Sequence, residues 1–142
     1  MMVLIRRIFE LLVGSDALRY GVYPTSADTV AALAIVLTKN AVAWTWGAWT
    51  QVVLAAGVAA ETQIVGFSLE NFVGIPAQGE IEIGTGVAPA GALLGTYQVA
   101  QGNYILPRPI RIPAGVGIVA RYRNANAVAD TVDIKVNTLT GF

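Results

Sequence analysis

Apolar and polar residues alternate with a period of two along most of the chain after Pro24, which is the pattern of half-buried β-strands. The clearest run is 131–137, in which Val132, Ile134 and Val136 alternate with polar residues. Glycine, proline and asparagine residues suited to turns separate the runs. Further strands are predicted within 65–70, 80–83, 110–112 and 118–123, and two longer ones, joined near residues 39–40, within 29–38 and 42–54.

The number and spacing of these runs predict the class of fold. Seven or eight short strands, with no long helical stretch after residue 24, indicate an antiparallel β-sandwich or a small barrel. No long internal repeat is evident, which disfavours propellers and solenoids. The sequence therefore predicts an all-β protein with one domain over residues 26–142, preceded by an N-terminal arm over residues 1–25.

The N-terminal arm has a different periodicity. Between residues 3 and 13 apolar side chains recur at helical spacing, and Gly14 follows where a helix commonly ends. A helix this short is marginal by itself, so we expect an amphipathic helix that is buried by its own domain or by a neighbour. Glu10 interrupts the apolar run, which disfavours a secretory signal peptide. The predicted apolar face consists of Leu4, Ile5, Ile8, Leu11 and Leu12.

A charge-free stretch over residues 40–60 raises the question of a membrane span, because its length would permit one. Polar residues and glycines interrupt the stretch, and Trp46 and Trp49 lie inside it rather than at its ends, where interfacial aromatic residues belong. We therefore expect no membrane partner. A small membrane protein of the lysis type is kept as a third alternative, which predicts dependence on detergent and a helical circular dichroism spectrum.

Composition excludes several classes of function. The chain has 142 residues, 55% of them hydrophobic and only 13% charged, with 9 basic and 9 acidic residues and a formal net charge of zero. A neutral surface does not favour nucleic-acid binding, which depends on neutralising phosphates. The absence of cysteine and histidine removes disulfides, thiolate nucleophiles, imidazole bases and zinc sites built from nitrogen and sulfur ligands. We expect no enzyme, and we nominate no catalytic, cofactor-binding or metal-binding residue.

The charges are unevenly distributed along the sequence. Within residues 40–104 the charged residues are all acidic, whereas residues 105–142 are mainly basic. Two copies of the chain would dock through opposite charges if the two sets lay on different faces; on adjacent strands the same residues would form cross-strand pairs. We favour the second interpretation, because such pairs are common on sheet surfaces. The four acidic residues are Glu61, Glu70, Glu80 and Glu82.

Three groups of side chains have a spacing that invites a chemical interpretation. Glu80 and Glu82 share one strand face, and we expect a solvated pair rather than a cation site, which needs six or more oxygen ligands. Trp44 and Trp46 would share one face of a predicted strand and Trp49 the other; they would stack on sugars if exposed, but we favour a place in the core. The third group, Arg121, Tyr122 and Arg123, predicts a solvated or subunit-facing strand.

Five segments combine strand and turn patterns in a familiar order: residues 43–53 (AWTWGAWTQVV), 81–84 (IEIG), 106–115 (LPRPIRIPAG), 118–121 (IVAR) and 130–136 (DTVDIKV). In these segments the chain resembles the small virion proteins of tailed bacteriophages. Those proteins are single jelly-roll modules. The resemblance implies a head-decoration or cement role on the capsid exterior, with assembly in the host cytoplasm as a homo-oligomer, usually a trimer, bound to the major capsid protein.

The sequence and the resemblance together give a set of expectations. We expect a structural protein without a cofactor, without nucleic acid and without a membrane, because an apolar, weakly charged domain leaves surface that assembly would cover. The alternative is a carbohydrate- or receptor-binding jelly-roll module of a phage tail or spike, in which Trp44 or Trp46 is exposed. The residues expected to contact another subunit or the capsid are Leu4, Ile5, Ile8, Leu11, Leu12, Arg121 and Arg123.

Overall fold

The computed structural model describes residues 19–23, 35–74 and 79–141, which form two antiparallel sheets packed as a β-sandwich. The prediction of an all-β sandwich is confirmed. No α-helix occurs in these three ranges, and a 3₁₀ turn lies at Ala55–Gly57. The strands are β1 Arg19–Tyr23, β2 Ile35–Thr38, β3 Thr50–Val53, β4 Thr62–Val73, β5 Gly79–Thr85, β6 Ala92–Val99, β7 Gly102–Ile112, β8 Ile118–Asn124 and β9 Thr131–Thr140.

Successive strands along the chain mostly belong to alternate sheets. The five-stranded sheet has the order β1-β9-β4-β7, with β2 also paired to β9, and the four-stranded sheet has the order β3-β8-β5-β6. From β2 to β9 each connection passes from one sheet to the other, except the hairpin that joins β5 to β6. The two sheets are therefore interleaved along the chain, and neither can form its core face without the other.

The core lies between the sheets and follows the alternation seen in the sequence. In β9, Val132, Ile134 and Val136 are buried while their neighbours are partly exposed, as the pattern predicts. Aromatic rings fill the centre, where the Phe67 and Tyr104 rings stack with centroids 5.0 Å apart. The core also contains Leu37, Ile64, Leu69, Ile81, Ile83, Ile112, Ile118 and Tyr122.

β1 and β2 lie one after the other along the same edge of β9. Tyr23, the last residue of β1, pairs with Val136, and Ile35, the first residue of β2, pairs with Ile134. The two short strands therefore form one edge that is interrupted between residues 23 and 35. Residues 19–23, which the sequence predicts as part of the arm, belong to this edge of the sandwich.

Of the two long strands predicted within 29–38 and 42–54, the second is wrong over most of its length. Residues 39–49 form a loop, and β2 and β3 belong to different sheets rather than to one hairpin. The reason is that Trp44 N–H and Gly47 N–H donate to the carbonyl oxygens of Asn124 and Tyr122 at the margin of β8. The predicted helix at residues 3–13, with its contact residues Leu4, Ile5, Ile8, Leu11 and Leu12, lies outside the described residues.

Candidate functional site

The tryptophan loop, residues 39–49, runs along the edge of β8 that β3 also pairs with, and its tryptophan side chains lie over the outer face of the four-stranded sheet. Two backbone hydrogen bonds hold it there, from Trp44 N–H to Asn124 O at 2.7 Å and from Gly47 N–H to Tyr122 O at 3.0 Å. Glycine is required at position 47 because an added Cβ would lie 2.0 Å from the carbonyl oxygen of Thr38. The loop is thus attached to the sheet by its backbone, which fixes the position of its tryptophans.

Under the tryptophan loop, two arginines of β8 face two glutamates of β5. Arg121 pairs in register with Glu82 and Arg123 with Glu80. The Nε of Arg121 lies 2.5 Å from Glu82 Oε2, and Nη2 of Arg123 lies 2.5 Å from Glu80 Oε2. Thr96 Oγ1 donates to the other oxygen of Glu82 at 3.3 Å. The two pairs are therefore hydrogen-bonded cross-strand ion pairs, which are stronger than pairs held by charge alone.

The three tryptophans alternate with the two arginines. The Cζ atom of Arg123 lies 5.9 Å from the ring centroid of Trp44 and 4.3 Å from that of Trp46. Arg121 lies 5.1 Å from Trp46 and 4.4 Å from Trp49. These distances are within the range of cation–π contacts, which strengthen as water is excluded. Each guanidinium group is thus neutralised by a carboxylate and covered by two indole rings.

Two glycines make room for the innermost tryptophan. An added Cβ on Gly91 would lie 2.7 Å from the Trp49 ring, and one on Gly84 would lie 3.0 Å from it. Trp49 is accordingly buried, but on the outer side of the sheet and not in the core between the sheets. The small size of these two residues therefore sets the depth at which the tryptophan loop packs.

The environments of these charged and aromatic residues agree only in part with those that the sequence predicts. The interpretation as cross-strand pairs is confirmed, and Glu61–Arg111 and Glu70–Lys135 are further examples. The prediction of a solvated Glu80–Glu82 face is wrong, because Glu82 is only 6% exposed and paired. The core position of Trp44 and Trp46 is also wrong: neither lies on a strand, Trp44 is 49% exposed and Trp46 is half-buried. That Arg121 and Arg123 contact a partner stays a prediction.

Trp44 lies beside a cavity at the end of the sandwich where β5 begins and β6 ends. The cavity measures about 280 Å³, and Trp44, Gly79, Glu80, Gln98, Ala100 and Tyr104 line it. The backbone of Trp44 has φ of 55°. For a bulky residue that left-handed conformation costs about 1–3 kcal/mol, and such residues concentrate at functional sites. Arg123 helps to hold the backbone of Trp44 in this conformation. Its Nε and Nη2 atoms bind Glu80, while its Nη1 atom donates to Trp44 O at 3.3 Å.

A buried polar cluster supports the base of the tryptophan loop. Lys39 is 2% exposed, and its ammonium group donates to the carbonyl oxygens of Asn40, Asn126 and Val128 at 2.5, 2.6 and 2.7 Å. A cation bound by three carbonyl groups joins the start of the tryptophan loop to the β8–β9 connection. The ends of both segments are thereby fixed in relation to each other.

Carboxylate and phenol groups complete this cluster. Asp130 accepts hydrogen bonds from the side-chain amides of Asn124 and Asn126 at 2.9 and 2.6 Å. Burial raises the pKa of Tyr122; the hydrogen bond from Asn124 opposes this effect and the negative charge of Asp130 adds to it. Each polar group in the cluster has a partner, which is the condition under which buried polar groups stabilise a fold.

The described residues contain no group of three or more acidic side chains placed to hold a metal ion. Among the same residues, no helix is long and apolar enough to cross a membrane. No protein-family model matches the sequence, and no curated protein matches it either.

Proposed function

We propose that the chain is a structural virion protein, a jelly-roll module that decorates a phage capsid and stabilises it as an oligomer. The strand order supports the jelly-roll assignment. The sheets β2-β9-β4-β7 and β3-β8-β5-β6 are the two four-stranded halves expected when eight strands form two Greek keys. Because this architecture is widespread in capsid and lectin domains, the fold alone does not indicate the function. The support for the proposed function therefore comes from the surface of the domain.

The observation that carries the proposal is a surface with exposed apolar side chains and few available charges. Among the described residues, four ion pairs neutralise Glu61, Glu70, Glu80 and Glu82. A surface of this composition is suited to contact with other proteins rather than to an isolated monomer exposed to solvent. The exposed large apolar residues are Tyr20, Val36, Val42, Trp44, Leu54, Val73, Val87, Leu93, Leu94, Ile105 and Val128.

A bulge in β7 is the part of this surface best placed for a contact. Ile105 pairs with Gly66 and Ile110 with Ile64, so β7 has extra residues between Ile105 and Ile110; Leu106 points into the core, and residues 107–109 are exposed at the edge of the five-stranded sheet. Ile105 is 91% exposed, and Arg108 has no ion-pair partner among the described residues. Prolines at 107 and 109 block the addition of another strand here. The contact would therefore use the side chains of the bulge, with Arg108 suited to an acidic partner.

The experiment measures the mass of the native species and its presence on particles. Native mass spectrometry of the full chain should give a multiple of 14.9 kDa, and the protein should be found in purified virions of the phage that encodes it. Ile105→Asp should reduce the assembled fraction or the attachment, whereas Leu54→Asp, a matched change in the β3–β4 connection, should not. A wild-type chain that stays monomeric and absent from virions would overturn the proposal.

A further inference from the structure

We propose that the cavity beside Trp44 binds a single neutral pyranose ring, either as a free sugar or as the terminal unit of a glycan. This goes beyond the proposed structural role and is independent of it, because the β7 bulge lies outside the cavity lining. The proposal rests on an aromatic surface, on hydrogen-bonding groups beside it, on the neutrality of the site and on its size.

The aromatic surface is the indole of Trp44. It is half exposed at the cavity, and its backbone is held in a left-handed conformation by hydrogen bonds to Asn124 O and from Arg123 Nη1. The C–H face of a pyranose is apolar and packs on such a ring, while its hydroxyl groups stay available for hydrogen bonds. Trp44 is therefore a preorganised platform, so little ordering would be needed when the sugar binds.

Hydrogen-bonding groups lie next to this platform on neighbouring strands. Glu80 and Gln98 are paired in register across β5 and β6, which places their side chains side by side. Glu80 Oε2 is bonded to Arg123, while Oε1 has no hydrogen-bond partner among the described residues and can accept from a hydroxyl. The amide of Gln98 can both donate and accept. This combination fits vicinal hydroxyl groups, each of which is both a donor and an acceptor.

The charge of the site selects a neutral ligand. Glu80 is neutralised by Arg123, so it does not present the unpaired negative charge that a cationic ligand requires. The guanidinium of Arg123 is paired with Glu80, lies against Trp44 and Trp46 and does not line the cavity, so the cavity presents no unpaired positive charge to an anion. A polyol gains hydrogen bonds here without having to break the ion pair.

The size of the cavity limits the ligand to one ring. Its volume of about 280 Å³ is near the lower limit of small-molecule sites, which measure roughly 300–1,000 Å³. Tyr104 closes one side of the cavity, where its hydroxyl group donates to Ala100 O at 2.7 Å and fixes the β6–β7 turn. The remainder of a longer glycan would extend into solvent past Trp44.

The test is a titration of the full chain with the methyl glycosides of glucose, galactose, mannose and N-acetylglucosamine. Tryptophan fluorescence and saturation-transfer NMR should detect at least one of them with a Kd of about 1–10 mM, as expected for a ligand of this size. Trp44→Ala should raise the Kd at least tenfold and Trp44→Phe by less. Gln98→Ala should raise it several-fold, whereas Gln101→Ala, the same change at an exposed residue outside the cavity lining, should leave it unchanged.

Each result either supports or overturns the proposal, or distinguishes a glycan from a free sugar as the ligand. No binding of any glycoside up to about 50 mM, well above the expected Kd, would overturn it. So would binding that Trp44→Ala leaves intact in a variant with an unchanged circular dichroism spectrum, or a preference for choline over the glycosides. Retention on immobilised neutral glycans that Trp44→Ala abolishes would support a glycan as the source, and binding of free glycosides alone would support a free sugar. Ile105→Asp should leave binding intact, which separates this site from the assembly role.

Discussion

Arg123 faces Glu80 across β8 and β5, with 2.5 Å between Nη2 and Oε2, and its guanidinium lies between the rings of Trp44 and Trp46. The ion pair therefore connects the sheet to the tryptophan loop. Glu80 provides the charge that allows an arginine to lie under two indole rings, and Arg123 neutralises a carboxylate at the margin of the cavity. A change in either residue affects both the stability of the fold and the shape of the site.

Arg123→Gln should destabilise the fold by about 1–3 kcal/mol, because it leaves the carboxylate of Glu80 partly buried without its counterion. Urea denaturation measures the free energy of unfolding. The control is Arg111→Gln, whose ion pair with Glu61 is exposed, with relative side-chain exposures of 68% and 45%. Exposed pairs contribute about 0–1 kcal/mol, so the control should change little. Equal losses in the two variants would contradict the burial argument.

Gly91→Ala should displace the indole of Trp49, because the new Cβ would lie 2.7 Å from the ring. Overpacking of this kind costs about 1–3 kcal/mol, and the tryptophan emission should shift to longer wavelength as Trp49 moves toward water. The cost should be smaller in a Trp49→Phe background, where the ring is smaller. The same loss in both backgrounds would show that the contact with Trp49 is not its cause.

Lys39→Met should destabilise the protein by about 2–4 kcal/mol, because it removes the donor for three carbonyl groups at the base of the tryptophan loop. Lys135→Met is the matched control, since Lys135 contacts a single carboxylate, Glu70, on the partly exposed face of β9. Thermal unfolding should separate the two variants clearly. A similar melting temperature for both would mean that the three carbonyl groups find other donors.

Stability should fall as the pH rises above about 10, and Tyr122 should account for part of the loss. Burial raises the pKa of Tyr122 above its ordinary value of 10.0. The unfolded chain then releases this proton at a lower pH than the folded chain, so the stabilisation is present below pH 10 and disappears as the pH rises through the folded-state pKa.

Urea midpoints between about pH 9 and pH 11.5 measure this slope. Tyr122→Phe should flatten it, whereas Tyr20→Phe, a change at an exposed tyrosine of β1, should leave it unaltered. Burial also raises the pKa of Tyr97, so a residual slope should remain in Tyr122→Phe. A wild-type slope in that variant would assign the effect to other groups.

Deletion of residues 1–14 tests the arm that the sequence predicts. The five apolar residues of its predicted helix, Leu4, Ile5, Ile8, Leu11 and Leu12, precede β1, so the sandwich should still fold without them. The truncated chain should give a sheet-dominated circular dichroism spectrum but lose attachment to particles. Normal attachment of the folded, truncated chain would remove the arm from the proposed mode of assembly.

The sequence predicted those parts of the fold in which one face of a strand is buried. Residues 131–137 follow a strict alternation because β9 has neighbours on both edges and one face in the core. The cross-strand ion pairs could be predicted because acidic and basic residues are separated along the chain. These features depend on local periodicity and on charge, both of which are visible in a single sequence.

The tryptophan loop could not be predicted by the same reasoning. Residues 42–54 are rich in apolar and β-branched residues, and such composition alone does not distinguish a strand from a loop that packs on a sheet. Its path depends on the left-handed conformation of Trp44, the close approach of Gly47 to Thr38 and the register of β8 with β5. The glycine between the tryptophans was the one local signal against a continuous strand.

The interrupted edge formed by β1 and β2 makes the fold suitable for peptide display. Tyr23 and Ile35 pair with residues of β9 that are two positions apart, yet the segment 24–34 connects them. Tyr23 and Ile35 are thus close together in the sheet, and a longer connection between them would add little to the entropic cost of closure. A foreign epitope placed between these two residues would begin and end at the edge of the five-stranded sheet, and a multimeric form of the protein would present it in many copies.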